Sequence, residues 1–295
     1  MYYVNGQYVK EEEAKISVLD LAILRGFGVF DYLRTYSGRP FHLWEHLLRL
    51  KYSAEHIGLS LPNSLVEIEE IVKTVQKLNN LEEASIKIVL TGGVSPDQFT
   101  PHIQSNLIVF AYPLTSYPHH CFTDGIKVIT TRLNRCLPTS KTTQYTPAIV
   151  ALQRGKAQNA MEALYLNAQN EILEATTSNF FGFKNGILYT YCSDEVLIGI
   201  TREVVRKLAA PHFPHETRAL RYEEIPELEE AFITASNKEV MPVVQIDSMK
   251  VGNGLVGPKT RLIMELFRSY KQMQEWPPLN ISRYQLAENS TSLTH

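Results

Sequence analysis

Four features of the chain could do chemistry together: Lys141, Glu174 downstream of it, Arg49 upstream, and the segment Gly199-Ile200-Thr201-Arg202. An amine can bond an aldehyde, a carboxylate can hold a protonated ring nitrogen, and a guanidinium and a helix N-terminus can anchor a phosphate. Those are the groups a protein must supply to hold pyridoxal phosphate. Each also has an ordinary reading. Lys141 sits in the polar stretch Leu137 to Tyr145, where a lysine is usually just exposed, and Glu174 ends a predicted strand, where a carboxylate is usually solvated. His46 and Arg49 fall three apart on one helix and share a side, which suits either a phosphate clamp or a solvated face. Gly199 to Arg202 opens a predicted helix, and Phe232 to Asn237 closes a predicted strand with hydroxyl and amide residues. Both places suit an anion or a simple helix cap.

The elements that must position these residues read as mixed α and β. Leu43, Leu47, Leu50, Ala54 and Ile57 recur at helical spacing, and Leu65 to Leu78 repeats the pattern. Ile86, Ile88 and Leu90 alternate as a half-buried strand that Ser105 to Tyr112 can pair with. Residues 1–111 therefore read as a small N-terminal α+β domain. Residues 112–118, with Pro113 and Pro118 and no periodicity, read as a linker. Residues 119–275 read as a larger C-terminal domain: strands at 126–131, 163–167, 172–175, 179–183 and 187–190, an Asn185-Gly186 hairpin turn, and helices at 146–161, 201–209 and 259–274. Residues 276–295, with Pro277-Pro278 and a polar end, read as a poorly ordered tail.

Composition excludes several classes. A formal charge of −2 with scattered Lys and Arg leaves no footprint for nucleic acid or an anionic membrane, and predicts a small-molecule substrate. No run approaches the ~20 apolar residues of a spanning helix, and the start of the chain lacks the apolar core of a secretory signal, so a cytoplasmic protein is expected. Cys121, Cys136 and Cys192 show no Cys-x-x-Cys spacing, and His119-His120 and His212-x-x-His215 lie among prolines, so no metal site is predicted. Gly252-Asn253-Gly254-Leu255-Val256-Gly257 matches a dinucleotide fingerprint, but too little chain follows for such a domain. It reads as a glycine turn.

The ordered series Arg25-Gly-Phe-Gly-Val-Phe-Asp31, His46-x-x-Arg49-Leu50, Lys141-x-x-x-Tyr145, Glu174-x-x-x-Ser178-Asn179-x-Phe181, Gly199-Ile-Thr-Arg202 and Thr234-x-Ser236-Asn237 resembles the class IV, or fold-type IV, aminotransferases over roughly residues 1–272. That family contains branched-chain aminotransferases, D-amino-acid aminotransferases and 4-amino-4-deoxychorismate lyases. The resemblance implies a two-domain homodimer with shared active sites and pyridoxal 5'-phosphate as cofactor, acting on an amino acid and a 2-oxo acid such as 2-oxoglutarate. It implies that Lys141 bonds the aldehyde and moves the proton, that Glu174 keeps the ring nitrogen protonated, and that Tyr145 addresses the phenolic oxygen. Arg49, the Ile200 and Thr201 amides, and Ser236 with Asn237 would take the phosphate, with Ser178 and Asn179 also at the cofactor.

The subgroup turns on fewer residues. Branched-chain enzymes usually continue the Val-Phe-acidic segment as Gly-Ile-Arg and carry a Tyr-x-Arg strand, where this chain has Tyr32-Leu33-Arg34 and Ser85-Ile86-Lys87. Better-known D-amino-acid enzymes have tyrosine where Phe30 stands and an arginine near Thr91-Gly92. The lyases commonly place a threonine near Asp31 and Tyr32. The run Leu24 to Asp31 with Leu90 to Asp97 is most similar to a variant group of D-amino-acid transaminases, which implies that Arg25 recognises the substrate carboxylate, reaching the partner subunit's site. Arg34 and Lys87 are the alternative cations. The expected activity is a transaminase favouring D-amino acids, with a branched-chain transaminase or a lyase releasing pyruvate as alternatives.

Overall fold

The computed structural model describes residues 1–101 and 105–289, and forms two compact units. The first unit holds residues 1–115, 140–144 and the segment from 276 on, and the second holds 116–139 and 145–275. The first division thus falls inside the proline-bearing 112–118 segment.

In the first unit, β1 (Tyr2–Val4) and β2 (Gln7–Val9) form a hairpin, and α1 (Leu21–Arg25) leads into β3 (Gly28–Tyr36) and β4 (Arg39–Pro40). Two helices, α2 (Leu43–His56) and α3 (Leu65–Leu78), precede β5 (Ala84–Thr91) and β6 (Asn106–Pro113). The strands make one antiparallel sheet in the order β2-β1-β6-β5-β3-β4. Val29 and Leu33 of β3, Ile86, Ile88 and Leu90 of β5, and Leu107 and Val109 of β6 meet Leu47, Leu50 and Ala54 of α2 and Ile68, Val72 and Val75 of α3. At about 1.5–3 kcal/mol for each large aliphatic side chain buried, this face fixes the helices on the sheet. A Ser64–Glu67 capping box sets the start of α3.

The second unit runs α4 (His120–Thr123), β7 (Ile126–Thr131), α5 (Thr146–Lys156), β8 (Glu162–Leu166), β9 (Glu171–Ala175), β10 (Asn179–Lys184), β11 (Ile187–Thr190) and α6 (Ile200–Ala209). It continues with β12 (His215–Glu216), β13 (Leu220–Arg221), β14 (Glu230–Ala235), β15 (Glu239–Ile246), β16 (Met249–Lys250) and α7 (Pro258–Lys271). Its mixed sheet has the order β12-β11-β10-β14-β15-β7-β8-β9-β13, with β16 on β15. Strand β7 lies parallel to both β15 and β8, and α5 supplies the crossover that the parallel β7–β8 pair needs. Asn185 and Gly186, both at positive φ, make the β10–β11 turn. Residues 252–257 form a turn ahead of α7, with Gly252 and Gly254 at positive φ.

Two expectations about organisation are corrected. Ser140–Gln144, expected in the C-terminal domain, belongs to the first unit because its backbone pairs with β3. The segment from Trp276, expected to be loose, is packed as far as Tyr284. Leu279, Ile281 and Tyr284 are buried, the Leu279 N–H donates to Glu45 Oε1 at 2.8 Å, and α8 (Ser282–Asn289) follows. The Trp276 ring lies 4.8 Å from Phe41, with the Arg39 guanidinium 4.6 Å above it. Its polar, proline-bearing composition hides four apolar anchors spaced along the segment. Residues 290–295 lie outside the described residues.

Candidate active site

Lys141 owes its place to backbone pairing within the first unit. Its carbonyl accepts the Phe30 N–H at 2.9 Å, its own N–H donates to Ser53 Oγ of α2 at 3.1 Å, and the Thr143 N–H donates to the Gly28 carbonyl at 2.9 Å. The approach demands glycine at 28, where a Cβ would stand 2.7 Å from the Leu90 carbonyl oxygen. The Lys141 Nζ lies 4.8 Å from the centre of the Phe30 ring. Lys87 of β5 sends its Nζ to the same ring at 5.5 Å and to Phe110 at 5.9 Å. Two ammonium groups at one aromatic ring make a place that favours an anion. Arg34 is engaged elsewhere, by Glu83 at 3.1 Å and over the Tyr36 ring at 4.3 Å. Arg25 is exposed at the end of α1, stacked 4.4 Å over Phe99, with Nη1 on its neighbour Leu24's carbonyl.

On the helix-facing side of β3, Asp31 is fully buried, where a lone carboxylate would be costly. Arg49 of α2 grips it through Nε to Oδ2 at 2.8 Å and Nη2 to Oδ1 at 2.8 Å, and His46 Nδ1 meets Oδ1 at 2.6 Å. Burial pushes the Asp31 carboxyl up, but Arg49 and His46 outweigh it and hold it well below the usual carboxylate range. Burial, with the nearby Arg49 and His42 charges, pushes the His46 imidazole down against the upward pull of Asp31. The shared side of His46 and Arg49 is thus buried, and Asp31 fixes the plane of the guanidinium. Tyr284 lies buried near the same pair, its ring 5.5 Å from Tyr52.

In the second unit Glu174 is buried at the end of β9. Arg135 Nη1 donates to its Oε1 at 2.6 Å, and its Oε2 accepts from the Leu197 N–H at 3.2 Å and Asn179 Nδ2 at 3.3 Å. Asn179 Nδ2 also donates to the Leu197 carbonyl at 2.7 Å. A Cβ on Gly199 would collide with Asn179 Oδ1, so the residue before α6 must be glycine. The first turn of α6 begins there, and no side chain caps it. Ile200 and Thr201 therefore supply backbone N–H groups that lack helical partners.

Ser236 and Asn237 lie in the turn that follows β14, where Asn237 Nδ2 donates to Tyr117 Oη at 3.3 Å. Thr234 Oγ1, two residues earlier, is buried with no hydrogen-bond partner among the described residues. Beside the turn Lys238 is buried on Glu162 at 2.8 Å, and Glu162 also accepts the hydroxyls of Thr176, Thr177 and Ser178. The Ser178 hydroxyl is thereby turned to Glu162, and the Asn179 amide is spent on Glu174 and Leu197. Tyr145 sits immediately before α5.

The structure thus groups Lys141, Phe30, Lys87 and the Arg49 cluster in the first unit, and Glu174, Tyr145, Ile200, Thr201, Ser236 and Asn237 in the second. Sequence reasoning missed Arg135, the part played by Asp31, and the Glu162–Lys238 pair. A half-buried arginine in an irregular loop carries no periodic signal. An acidic residue between Val29 and Leu33 on the inner face of β3 was the one available hint for Asp31.

Residues 28–246 match the family described as Amino-transferase class IV. A D-alanine aminotransferase of Staphylococcus haemolyticus is 31% identical over 276 residues, spanning 91% of this chain and 96% of that protein. A putative branched-chain-amino-acid aminotransferase of Methanocaldococcus jannaschii is 32% identical over 276 residues, again 91% and 96% of the two chains. Among solved structures, the branched-chain amino acid aminotransferase of Escherichia coli superimposes with a TM-score of 0.87 at 27% identity, covering 93% of this chain and 96% of that one. The branched-chain amino acid aminotransferase of Thermoproteus uzoniensis, solved with norvaline, gives 0.82 at 28% identity, covering 92% and 94%.

Proposed function

Because this chain belongs to the class IV aminotransferases, an enzyme family dependent on pyridoxal phosphate, we propose that it binds that cofactor through Lys141 and moves an amino group from a D-amino acid such as D-alanine to a 2-oxo acid. The observation that carries the reading is the paired placement at Phe30, where Lys141 and a second cation, Lys87, address one ring. The donor set fits the cofactor's chemistry: an amine for the aldehyde, a carboxylate held by three donors for a ring N–H, and uncapped amides with an orphaned threonine hydroxyl for the phosphate.

Bound pyridoxal phosphate supplies an electrophilic aldehyde and an electron-withdrawing ring. Lys141 Nζ would hold the aldehyde and would move the proton at the substrate α-carbon. Glu174 would hold the ring N–H, and Tyr145 would address the phenolic oxygen. Arg49, the Ile200 and Thr201 amides, Ser236, Asn237 and Thr234 would serve the phosphate. The Ser178 hydroxyl braces Glu162 and the Asn179 amide braces Glu174, and both residues would stand beside the cofactor. Lys87 is placed for the substrate carboxylate, whereas Arg25 would have to act on a second copy of the chain in a homodimer.

The branched-chain reading keeps one support in the M. jannaschii relative and the solved structures. The two are separated by mixing the yellow holoenzyme with single D- and L-amino acids and following conversion of the cofactor to its amine form. D-alanine and D-glutamate should outpace their L-forms. Faster conversion by L-leucine and L-valine would replace the D-specific reading with the branched-chain one.

A further inference from the structure

We propose that Arg135 is a positioning residue for the reaction, holding Glu174 ionised and aimed before and during turnover. The proposal rests on Glu174 being the group that meets the cofactor ring nitrogen. Burial penalises the charged form of a carboxylate as deeply buried as Glu174, so a cation held against it decides how firmly that form is kept. Protonated, it would donate to a neutral ring nitrogen and leave the ring without its positive charge.

Arg135 removes that outcome. Its Nη1 lies 2.6 Å from Glu174 Oε1 and 3.0 Å from the Pro138 carbonyl, so the loop that follows β7 holds the guanidinium in place. The remaining oxygen, Oε2, is turned by the Leu197 N–H and Asn179 Nδ2. Two phenols lie near the pair, Tyr165 from β8 and Tyr145 just before α5, both close enough to interact electrostatically with Arg135. Burial pushes the Tyr165 phenol above its ordinary value, which keeps it neutral. Glu162 also acts on Tyr165, but its own charge is met by Lys238. Burial pulls on the Arg135 cation too, but Glu174 and the phenols hold it above its ordinary value.

The test compares purified holoenzymes carrying Arg135→Gln, Arg135→Met, Arg135→Lys and Glu174→Gln. Both neutral Arg135 variants should keep the cofactor through dialysis, lose at least tenfold in kcat, and move the acid limb of the kcat/KM profile upward by a pH unit or more. Arg135→Lys should return much of the rate and place the acid limb near the native position, which a merely structural arginine would not do. An unmoved acid limb in whichever neutral variant folds, or a lysine variant as impaired and as shifted as the neutral ones, overturns the proposal. Glu174→Gln separates this from failure of the underlying reading: if that variant is fully active, Glu174 does not serve the ring, whereas an inactive Glu174→Gln beside an unshifted Arg135→Gln removes Arg135 alone.

Discussion

Arg49, if it serves the cofactor phosphate as proposed, has two duties that conflict in a simple alanine test. It is assigned to the cofactor phosphate, and it also neutralises Asp31, which has no exposure to water. Removing one partner of a buried pair costs about 3–5 kcal/mol, since the other charge is left alone. Arg49→Ala should therefore lower thermal stability as well as cofactor retention. The double change Arg49→Ala with Asp31→Asn should regain much of the stability and none of the retention, a non-additivity expected of groups in contact. Equal instability of single and double variants, measured by thermal unfolding without cofactor, would detach Asp31 from Arg49. At the substrate carboxylate, Lys87→Met should raise KM strongly with cofactor absorbance unchanged, while Arg34→Leu should leave KM near native because Glu83 and Tyr36 already occupy that side chain. If Arg25→Leu instead raises KM and Lys87→Met does not, the carboxylate is bound by the other cation.

Elements show where the sequence was legible and where it was not. Helices α2 and α3 and strand β5 follow from apolar periodicity, because the force that places them, burial of one face, is written at fixed spacing. The start of α6 was legible as well, since a glycine ahead of a helix marks a free N-terminus. The annexation of residues 140–144 by β3 was not, since backbone pairing between distant segments leaves no side-chain pattern. Nor was the C-terminal arm, whose anchors Trp276, Leu279, Ile281 and Tyr284 follow no single period and become apolar contacts only once α2 exists to receive them. The arm packs on the helix that bears His46 and Arg49, and Tyr284 is buried beside them. Ending the chain after Glu275 should expose that side of α2 and lower the melting temperature by several degrees, consistent with losing several buried side chains at about 1.5–3 kcal/mol each. A melting temperature that does not move would mean the arm contributes nothing to α2.

For the whole molecule, the charges taken out of water set the acid limit of stability. Asp31 in the first unit and Glu162 in the second are both buried carboxyls. Burial raises each, and their partners, Arg49 with His46 and Lys238 with the neighbouring threonines, outweigh it. Both are thus held below their ordinary values of 3.8 and 4.5. A carboxyl whose value is lower folded than unfolded contributes stability that is fully present above the unfolded value and is lost as pH falls through the folded one. Stability should therefore be flat with respect to these groups from neutral pH down to about pH 5, and then fall steeply below 4.5. Because the pairs are buried, added salt should change that fall little, whereas exposed pairs such as Lys73–Glu70 would be screened. Glu162→Gln leaves Lys238 buried without its counter-charge, so it should destabilise the protein at pH 7 by about 3–5 kcal/mol. It should also flatten the acid slope, since one proton fewer is taken up on unfolding. Urea unfolding of native protein and Glu162→Gln from pH 3 to pH 7 checks both effects together, and an acid slope unchanged in the variant would show that Glu162 is not among the carboxyls that set this limit.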